Sequence, residues 1–477
     1  MTTTAQQPVT LEQLSALAGS LKDRGLSIPS LRIAMRMIRL APIKQAGYWA
    51  AARALTPSLI LQAKRTVWRV VGGSVPVQAL KRAIQRVLGA TGLCASRWAR
   101  QRNPGQVFFL FRNADIGGAE RVHAQIVRAV SDRKPWVYFS ERGVDDGFLG
   151  EYTDSGRIVR AGRLARGRWL GHIYAGFLAG IINRHESPVV LGCHSRLFYR
   201  VVPLLSRHVR CVDLRHAFEH GFEVFSSHYA QRLDARVVIS QQHACLRGQL
   251  YATRGLGPDL LTRSIVIENG VALGSCESRL FSCPQVTVLF VARGAPEKRP
   301  HLVGAVASRC RSQGLRARFV IVGPTPDWIA PGDRDNCEFL GIVRDPQQMS
   351  QLYREAHLIL LPSVFEGMPL VIQEAMAHGV VPIVTRCGAL GEHLNGDNGI
   401  IVDNGAEDTI VMDMTRAVDR LASDRALLER MSRRAWEYAR DHYTAPAFTH
   451  HWRRVLLGEP ASNPGPLNSA VAVSPSP

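Results

Sequence analysis

Apolar and polar positions follow two different patterns along this chain. Before residue 105, apolar residues recur at helical spacing among basic ones, as in the stretch around Arg32, Arg36 and Arg39. After it, short apolar runs alternate with amphipathic stretches. An apolar run followed by a helical pattern is typical of a parallel strand and its crossover helix. The sequence therefore predicts a basic helical region followed by α/β units.

The apolar runs form two series, separated by residues 272–285, which have little periodicity and read as a connector. The first series predicts strands at 107–111, 136–139, 189–193, 209–214, 237–240 and 265–267. The second series predicts strands at 286–291, 319–322, 358–361, 380–384 and 400–402. We therefore expect an α/β fold of two doubly wound, Rossmann-like domains facing a cleft.

Four regions follow from these patterns. Residues 1–104 form the basic, mainly helical N-terminal region, 105–283 the first Rossmann-like domain and 284–458 the second. Residues 459–477 are rich in Pro, Ser and Ala, a composition typical of a disordered tail. With 477 residues, of which 46% are apolar, the chain is long enough for two or three cores.

Targeting and redox signals favour a cytoplasmic location. No apolar run reaches the length of about 18 residues that a membrane span needs. The N-terminus lacks the basic and then apolar layout of a secretory signal. The nine cysteines contain no C-x-x-C pair, which argues against a disulfide or zinc framework.

Positive charge is concentrated near the N-terminus. Residues 25–112 hold fifteen Lys or Arg and no Asp or Glu, within a chain whose formal net charge is +20. A basic amphipathic segment with interfacial Trp and Tyr is typical of docking on anionic lipid, at about 1 kcal/mol for each basic residue. We therefore expect a peripheral position on the inner face of the membrane. The alternative is a solvated helical cap, and no recognised motif accompanies the charge to indicate a nucleic acid.

Residues 363–379 predict a strand, a turn and the start of a helix. They read SVFEGMPLVIQEAMAHG and follow the apolar run at 358–361. Pro369 has no N–H and suits the first helical turn, so free backbone donors from Leu370 onward can face an anion. Glu366 and Glu374 lie eight residues apart around this turn and can hold opposite ends of one ligand. The alternative is an ordinary crossover with solvated acids.

Two cations follow the strand predicted at 286–291. Arg293 and Lys298 flank a short loop at the end of that strand, where open α/β sheets place their ligands. Lys298 is the only lysine after Lys134 in a chain that otherwise uses Arg. A compact ammonium at this position favours a phosphate contact, with chance as the alternative.

Taken together, these motifs resemble the two-domain (GT-B fold) glycosyltransferases of the retaining glycosyltransferase family 4 type. The resemblance runs from about residue 107 to about residue 455. Its strongest part combines V-A-R at 291–293, Lys298, S-x-x-E-G-x-P-x-x-x-x-E-A-M-A-x-G at 363–379 and D-N-G-I-I-V at 397–402. The G-G-A-E-R of 117–121 and the I-E-N-G-V of 267–271 resemble the opening loop and the interdomain segment of that family.

The resemblance implies a role for each residue of a nucleotide-sugar site. Arg293 and Lys298 are expected to neutralise the donor diphosphate, Glu366 to bind a hydroxyl of the donor sugar, and Glu374 to hold the ribose. The other expected members of this site are Gly117, Gly118, Gly367, Met368, Pro369 and Leu370. No metal and no cofactor is expected, because the cations and the helix start supply the positive charge.

The expected catalytic residues are His216, Glu366, Arg293 and Lys298. His216 stands where the family usually has a histidine near the reacting centre, but its neighbours Arg215 and Ala217 do not form the usual His-Asp pair. His220 is the competing choice, and either histidine can be a surface residue. The H-x-x-x-H spacing of this pair also suits a metal.

The function expected from these features is a retaining, metal-independent glycosyltransferase. It moves a sugar from a nucleotide-diphosphate sugar to a lipid-linked or polysaccharide acceptor that the first domain holds, at an anionic membrane surface and without nucleic acid. Two alternatives are a nucleotide-sugar epimerase of the same fold and a non-catalytic membrane-associated scaffold, since fold alone does not fix chemistry.

Overall fold

The computed structural model describes residues 75–99, 106–274, 281 and 284–459. Most of the basic segment 25–112, the predicted tail and much of the connector lie outside these residues. The chain divides into two compact units, Met1–Leu88 and Gly89–Pro477. Both predicted Rossmann-like domains fall in the second unit, and we refer to them as the first and second lobes.

The first described helix, α1 (Val75–Ser96), spans the boundary between the two units. In its first part the side chains of Lys81 and Arg86 are exposed. None of the helices in the described ranges combines the length and the apolar character that crossing a membrane requires.

The first lobe contains a sheet of seven parallel strands in the order β3-β2-β1-β4-β5-β6-β7. The strands are β1 (Val107–Phe111), β2 (Trp136–Phe139), β3 (Arg157–Arg160), β4 (Val189–Cys193), β5 (Arg210–Arg215), β6 (Ala235–Val238) and β7 (Ser264–Val266). The helices are α2 (Gly118–Ala129), α3 (Leu149–Ser155), α4 (Gly162–Arg166), α5 (Leu170–Ile182), α6 (Arg196–Val201), α7 (His220–Ser227) and α8 (Gln241–Thr253). Central strands β1 and β4 are buried along their whole length, which explains their continuous apolar runs.

The second lobe contains a sheet of six parallel strands in the order β10-β9-β8-β11-β12-β13. The strands are β8 (Val286–Val291), β9 (Ala317–Val322), β10 (Cys337–Gly341), β11 (Leu358–Leu361), β12 (Val381–Thr385) and β13 (Ile400–Val402). The helices are α9 (Pro300–Ser312), α10 (Pro331–Arg334), α11 (Pro346–Glu355), α12 (Leu370–Ala377), α13 (Leu390–His393), α14 (Glu407–Ser423), α15 (Arg425–His442) and α16 (Ala445–Leu457).

The predicted fold class of two doubly wound sheets is confirmed. Every strand predicted from an apolar run is present, with boundaries that differ by at most two residues at either end. The two strands that the sequence did not predict, β3 and β10, each form an edge of a sheet. Their side chains are half-buried or exposed, so their sequences, RIVR and CEFLG, contain no continuous apolar run.

The end of α1 packs directly against α5 through glycines. A Cβ added at Gly92 would lie 1.9 Å from the carbonyl oxygen of Ile173, and one added at Gly176 would lie 1.9 Å from that of Gly89. The two backbones are therefore close enough to exclude any side chain at these positions.

The last helix, α16, leaves the second lobe and returns to the first. Arg453 donates hydrogen bonds to Asp132 Oδ1 at 2.7 Å and to the carbonyl oxygen of Ala129 at 2.9 Å. Arg210, at the start of β5, donates to the carbonyl oxygen of Val455 at 3.0 Å. We expected this helix within the second domain, and the structure shows that its packing partners include the first.

Candidate functional site

The candidate site lies where the carboxyl ends of the strands of both lobes face each other, the position at which open α/β sheets bind ligands. Residues 363–369, which we call the donor loop, follow β11 and lead into α12. Strand β11 is fully buried between β8 and β12, so the start of the donor loop is fixed by the sheet. The chain therefore holds the predicted anion-binding turn on a rigid strand.

Glu366 is the most constrained carboxylate of the donor loop. Its Oε1 atom accepts a hydrogen bond from Lys298 Nζ at 2.5 Å and another from Ser363 Oγ at 2.7 Å. Its side chain is 9% exposed, whereas that of Lys298 is 20% exposed. Lys298 and Glu366 are therefore brought together as a partly open ion pair, with one carboxylate oxygen fixed and the ammonium facing the cleft.

Helix α12 begins directly after the donor loop, with Pro369 as its N-cap residue. Within the described residues, the N–H groups of Leu370 and Val371 have no hydrogen-bond partner and can face an anion, whereas the N–H of Ile372 donates to the carbonyl oxygen of Pro369 at 3.0 Å. Met368 is 4% exposed and fastens the loop to the core. Gly118 of the first lobe lies against this helix start, since a Cβ added there would be 3.8 Å from Leu370 Cβ.

Glu374 is held from both lobes. Arg121 of α2 donates to its Oε1 atom at 2.5 Å, and the Tyr353 hydroxyl of α11 donates to its Oε2 atom at 2.9 Å. Burial raises the pKa of Glu374, and the Arg121 guanidinium opposes that shift. Each carboxylate oxygen can accept two hydrogen bonds, so each oxygen of Glu374 retains capacity for a ribose hydroxyl.

His216 lies directly after β5, against the donor loop. A Cβ added at Gly367 would lie 1.9 Å from the carbonyl oxygen of His216, so only glycine fits at residue 367. His220, the competing histidine, is exposed at the start of α7. The geometry therefore favours His216 as the histidine that faces the donor loop.

The His216 ring pairs with a histidine of α2 that the sequence analysis did not identify. His216 Nε2 and His123 Nε2 are 2.9 Å apart, so one of the two nitrogens donates a hydrogen bond to the other. Burial, followed by the charges of His194 and Arg215, lowers the pKa of His216 to about 3. Burial also holds the pKa of His123 well below its usual value. Both rings are therefore neutral near neutral pH.

Two residues at the end of β4 complete a cluster around this pair. Ligand atoms of His123, Cys193 and His216 all lie within 4.8 Å of one another. His194 Nδ1 is 3.8 Å from Cys193 Sγ, and its backbone adopts a left-handed conformation with φ of 47°. We call these four residues the histidine–thiol cluster.

A buried network fixes the strand from which His216 emerges. Glu223 accepts hydrogen bonds from Arg247 at 3.3 Å and from Arg215 at 3.3 Å, and it contacts His243 at 2.9 Å. Burial alone would raise the pKa of Glu223, but Arg247, His243 and Arg236 hold it far below its usual value. The charged network therefore anchors α7 and α8 to the end of β5.

Arg293 pairs with Glu297 rather than with one of the other expected donor residues. Its side chain is 74% exposed, and its Nη2 atom donates to Glu297 Oε1 at 2.7 Å. Arg299, the residue after Lys298, reaches the loop that follows β13, where it donates to Asn404 Oδ1 at 2.7 Å. Asn404 in turn donates to the carbonyl oxygen of Val364 in the donor loop at 3.1 Å.

The structure thus brings most of the predicted site residues together. Four of them, Glu366, Gly367, Met368 and Pro369, belong to the donor loop itself. Lys298 and Leu370 adjoin this loop, and Gly118 and His216 approach it from the first lobe. Gly117 is the N-cap residue of α2 and adjoins Gly118. The sequence analysis missed Arg121, His123, Cys193, Tyr353 and Ser363.

Comparison with known proteins shows that the second lobe is similar to part of known glycosyltransferases. Residues 285–424 match the family described as Glycosyl transferases group 1. The D-inositol 3-phosphate glycosyltransferase of Rhodococcus erythropolis (strain PR4) is 30% identical over 178 residues, which cover 33% of this chain and 40% of that protein. The phosphatidylinositol N-acetylglucosaminyltransferase gpi3 subunit of Schizosaccharomyces pombe is 28% identical over 234 residues, which cover 45% of this chain and 48% of that protein. The chain spans less than half the length of these curated relatives.

Solved structures identify the fold of both lobes. HepE of Anabaena, solved in complex with UDP and glucose, has a TM-score of 0.59 at 17% sequence identity, covering 74% of this chain and 99% of that one. At this identity the similarity establishes the fold. Residues 285–424 therefore resemble the glycosyl transferases group 1 family, and the two lobes have the GT-B fold that the sequence motifs predicted.

Proposed function

We propose that this protein is a retaining, metal-independent glycosyltransferase that takes a sugar from a nucleotide-diphosphate sugar. The observation that carries the proposal is the ion pair between Lys298 and Glu366, beside the start of α12 and opposite His216. It joins a phosphate-binding cation to a sugar-binding carboxylate at the edge where the two lobes meet. The family match of residues 285–424 and the UDP and glucose bound to HepE support a nucleotide-sugar donor.

Lys298 and the start of α12 stabilise the leaving diphosphate. Negative charge grows on the diphosphate oxygens as the glycosidic bond breaks, so fixed positive groups favour the transition state over the bound donor. In this proposal, the Lys298 ammonium and the free N–H groups of Leu370 and Val371 perform this task without a metal. Arg293 is exposed and its ion pair with Glu297 is weak in water, so Arg293 can exchange Glu297 for the diphosphate on binding.

Glu366 and Glu374 hold the sugar and the ribose. The second oxygen of Glu366 is available for a sugar hydroxyl, because Lys298 and Ser363 both contact Oε1. Glu374 lies on the first turns of α12 and is reached from the first lobe by Arg121. In this proposal, the reacting carbon lies between the donor loop and His216, and the neutral ring of His216 accepts a hydrogen bond from a sugar or acceptor hydroxyl.

The acceptor we propose is lipid-linked or a growing polysaccharide, held by the first lobe. The basic segment 25–112 supports an anionic membrane surface as the place of transfer. Two relatives act, by their names, on D-inositol 3-phosphate and on phosphatidylinositol, which are phosphate-bearing acceptors.

A donor screen tests this function. The purified full chain is heated with UDP, GDP, ADP and TDP sugars, and one of them is expected to raise the melting temperature, since a ligand at 100 times its Kd adds about 2.7 kcal/mol of stability. The shift is expected to vanish in Lys298→Ala and to persist in Lys134→Ala, a lysine on the exposed side of the first lobe. With membrane extract as acceptor, the donor found should support transfer with the same anomeric configuration in donor and product.

Two outcomes contradict the proposal. If Lys298→Ala or Glu366→Ala transfers sugar as fast as the unaltered protein, the donor loop is not the donor site. If the donor is converted to a different sugar without any acceptor, the protein is an epimerase.

A further inference from the structure

We propose that the histidine–thiol cluster is a zinc-binding site, in which His123, Cys193 and His216 are the ligands. The site belongs to the first lobe and stands apart from the donor loop chemistry, although it shares His216 with the proposed function. Zinc bound here takes the His216 ring away from the donor and so inhibits transfer.

The positions of the ligand atoms carry this inference. The three ligand atoms lie within 4.8 Å of one another, and the two Nε2 atoms are 2.9 Å apart. Around a tetrahedral zinc, two imidazole nitrogens lie about 3.3 Å apart, and a nitrogen and a thiolate sulfur about 3.6 Å apart. Movements of the ligand atoms by a few tenths of an ångström to about 1 Å therefore convert the observed arrangement into a coordination sphere.

The ligands come from three separate elements at one edge of the sheet. His123 lies on α2, Cys193 ends β4 and His216 follows β5, so the site is formed by the fold rather than by a local sequence motif. His123 is 5% exposed and Cys193 is 1% exposed. The His123 ring is stacked on Phe111 with centroids 4.3 Å apart, which keeps its Nε2 atom directed at His216.

The set of donor atoms selects the class of metal. One thiol and two imidazoles suit zinc and similar borderline or soft ions, whereas magnesium and calcium prefer oxygen ligands. His194 adds a further imidazole beside the thiol, and within the described residues its Nε2 atom has no hydrogen-bond partner. The fourth position of the metal is thus open to His194 or to a water molecule.

Alternative structural roles leave part of this cluster unexplained. A pair of neutral histidines joined through their Nε2 atoms shares one hydrogen bond and needs partners for both Nδ1 atoms. In the described part of the chain, His123 Nδ1 is buried without a hydrogen-bond partner, and the buried Cys193 thiol has its hydrogen-bonding contact with His194 Nδ1, at 3.8 Å. Zinc bound to the two Nε2 atoms and the thiolate replaces one hydrogen bond and one weak thiol contact by three metal–ligand bonds, and it leaves each Nδ1 as an N–H donor.

Zinc binding to the untagged full chain tests the proposal. After treatment with a chelator, the protein is dialysed against Zn²⁺ or Mg²⁺ and the bound metal is measured; about one tightly bound zinc per chain and no magnesium is expected. Co²⁺ in place of zinc is expected to give the absorption of a cobalt–thiolate bond. Cys193→Ala should remove that absorption and weaken zinc binding by at least about 100-fold, since changes to outer partners alone cost about 10- to 100-fold.

Cys211→Ala is the matched control, because Cys211 is equally buried on the neighbouring strand β5 and lies outside the cluster. Melting curves show whether each variant is folded, and His123→Gln provides a second ligand variant. Equal zinc binding by the unaltered protein and both ligand variants, or a cobalt spectrum without thiolate absorption, overturns the proposal. The metal measurements need no sugar transfer, so they stand even if the proposed activity fails, and zinc inhibition that Cys193→Ala relieves would confirm the link to His216.

Discussion

Arg121 of the first lobe and Glu374 of the second are joined by a hydrogen bond of 2.5 Å across 253 residues of sequence. Arg121 follows the glycine pair that resembles the family's opening loop, and Glu374 is the second carboxylate of the donor motif. The two motifs that appear separate in the sequence therefore meet in the cleft. This contact places the first lobe directly beside the proposed ribose position.

Replacing Glu374 by Gln is expected to weaken donor binding. The variant retains the volume and the Tyr353 contact but loses the charge, and a hydrogen bond to a charged group is worth about 1.5 to 3 kcal/mol. The Kd of the nucleotide sugar should rise about 10- to 100-fold, as measured by calorimetric titration. Arg121→Ala should have a smaller effect, because it leaves the Glu374 carboxylate and its Tyr353 contact in place for the ribose. Arg128→Ala, exposed on the same helix, is the control, and equal Kd values for all three variants would contradict the assignment.

Gly367→Ala is expected to push the donor loop away from His216. The added Cβ would lie 1.9 Å from the His216 carbonyl oxygen, so one of the two backbones must move. We expect a loss of about 1 to 3 kcal/mol in the free energy of unfolding, together with slower transfer. Gly391→Ala serves as the comparison, because an added Cβ there meets nothing within 4 Å. Denaturant unfolding and a transfer assay on both variants test this prediction. Equal stability and equal transfer rates for the two variants would contradict the close contact between Gly367 and His216.

Glu268 is expected to make stability depend on pH. Burial, and next the charge of Glu392, raise the pKa of Glu268 to about 7. The folded state therefore binds more protons than the unfolded state between about pH 4.5 and 7, and the free energy of unfolding falls as the pH rises through this window. His393 Nδ1 and His442 Nδ1 also face Glu268, at 3.8 and 3.9 Å from its oxygens.

Glu268→Gln removes the ionisable group and should be more stable than the unaltered protein at pH 8, and this difference in the free energy of unfolding should shrink at pH 5. Urea unfolding at both pH values measures the free energy of unfolding. Glu355→Gln, an exposed carboxyl on α11, is the control variant. A stability difference for Glu268→Gln that does not change with pH would show that this carboxyl does not titrate in the window.

Basic residues of α1 are expected to contribute to binding on anionic vesicles. Lys81 and Arg86 are exposed, and at about 1 kcal/mol for each charge their replacement by Gln should weaken binding up to about 30-fold. Co-sedimentation with phosphatidylserine vesicles measures this, and salt should release the protein because it screens the attraction. The control replaces Arg309 and Arg316, two exposed arginines of the second lobe, by Gln. Equal loss in both variants, or equal binding to neutral vesicles, would contradict a specific lipid surface.

The sequence was sufficient for the parts of the fold that are buried. Strands such as β1 and β11 are covered on both faces, so their apolar runs are continuous and their positions were predicted without error. The edge strands β3 and β10 were missed because their half-exposed side chains alternate without a clear pattern. Burial, rather than strand propensity, decided which strands were visible.

The candidate site was predictable only where one segment carries it. Residues 363–370 form a contiguous motif, and Lys298 stood out as an isolated lysine. The contacts that cross between elements had no such signal: Tyr353 reaches Glu374 from α11, and His123 reaches His216 from α2. Their pairing depends on helix packing, which spacing along the chain does not encode. For Arg293 the situation is reversed. The motif predicts that it belongs to the donor site, whereas in the structure it pairs with Glu297.

Helix α16 has a consequence for the order in which the protein forms. Phe448 packs against Gly270, and Arg453 and Val455 contact the first lobe through Ala129, Asp132 and Arg210. The surface of the first lobe is thus completed by residues that the ribosome adds after the sheet of the second lobe. During synthesis this surface of the first lobe stays uncovered until the second lobe has been made, so a chain cut before residue 445 should lack α16 and should have a less stable first lobe.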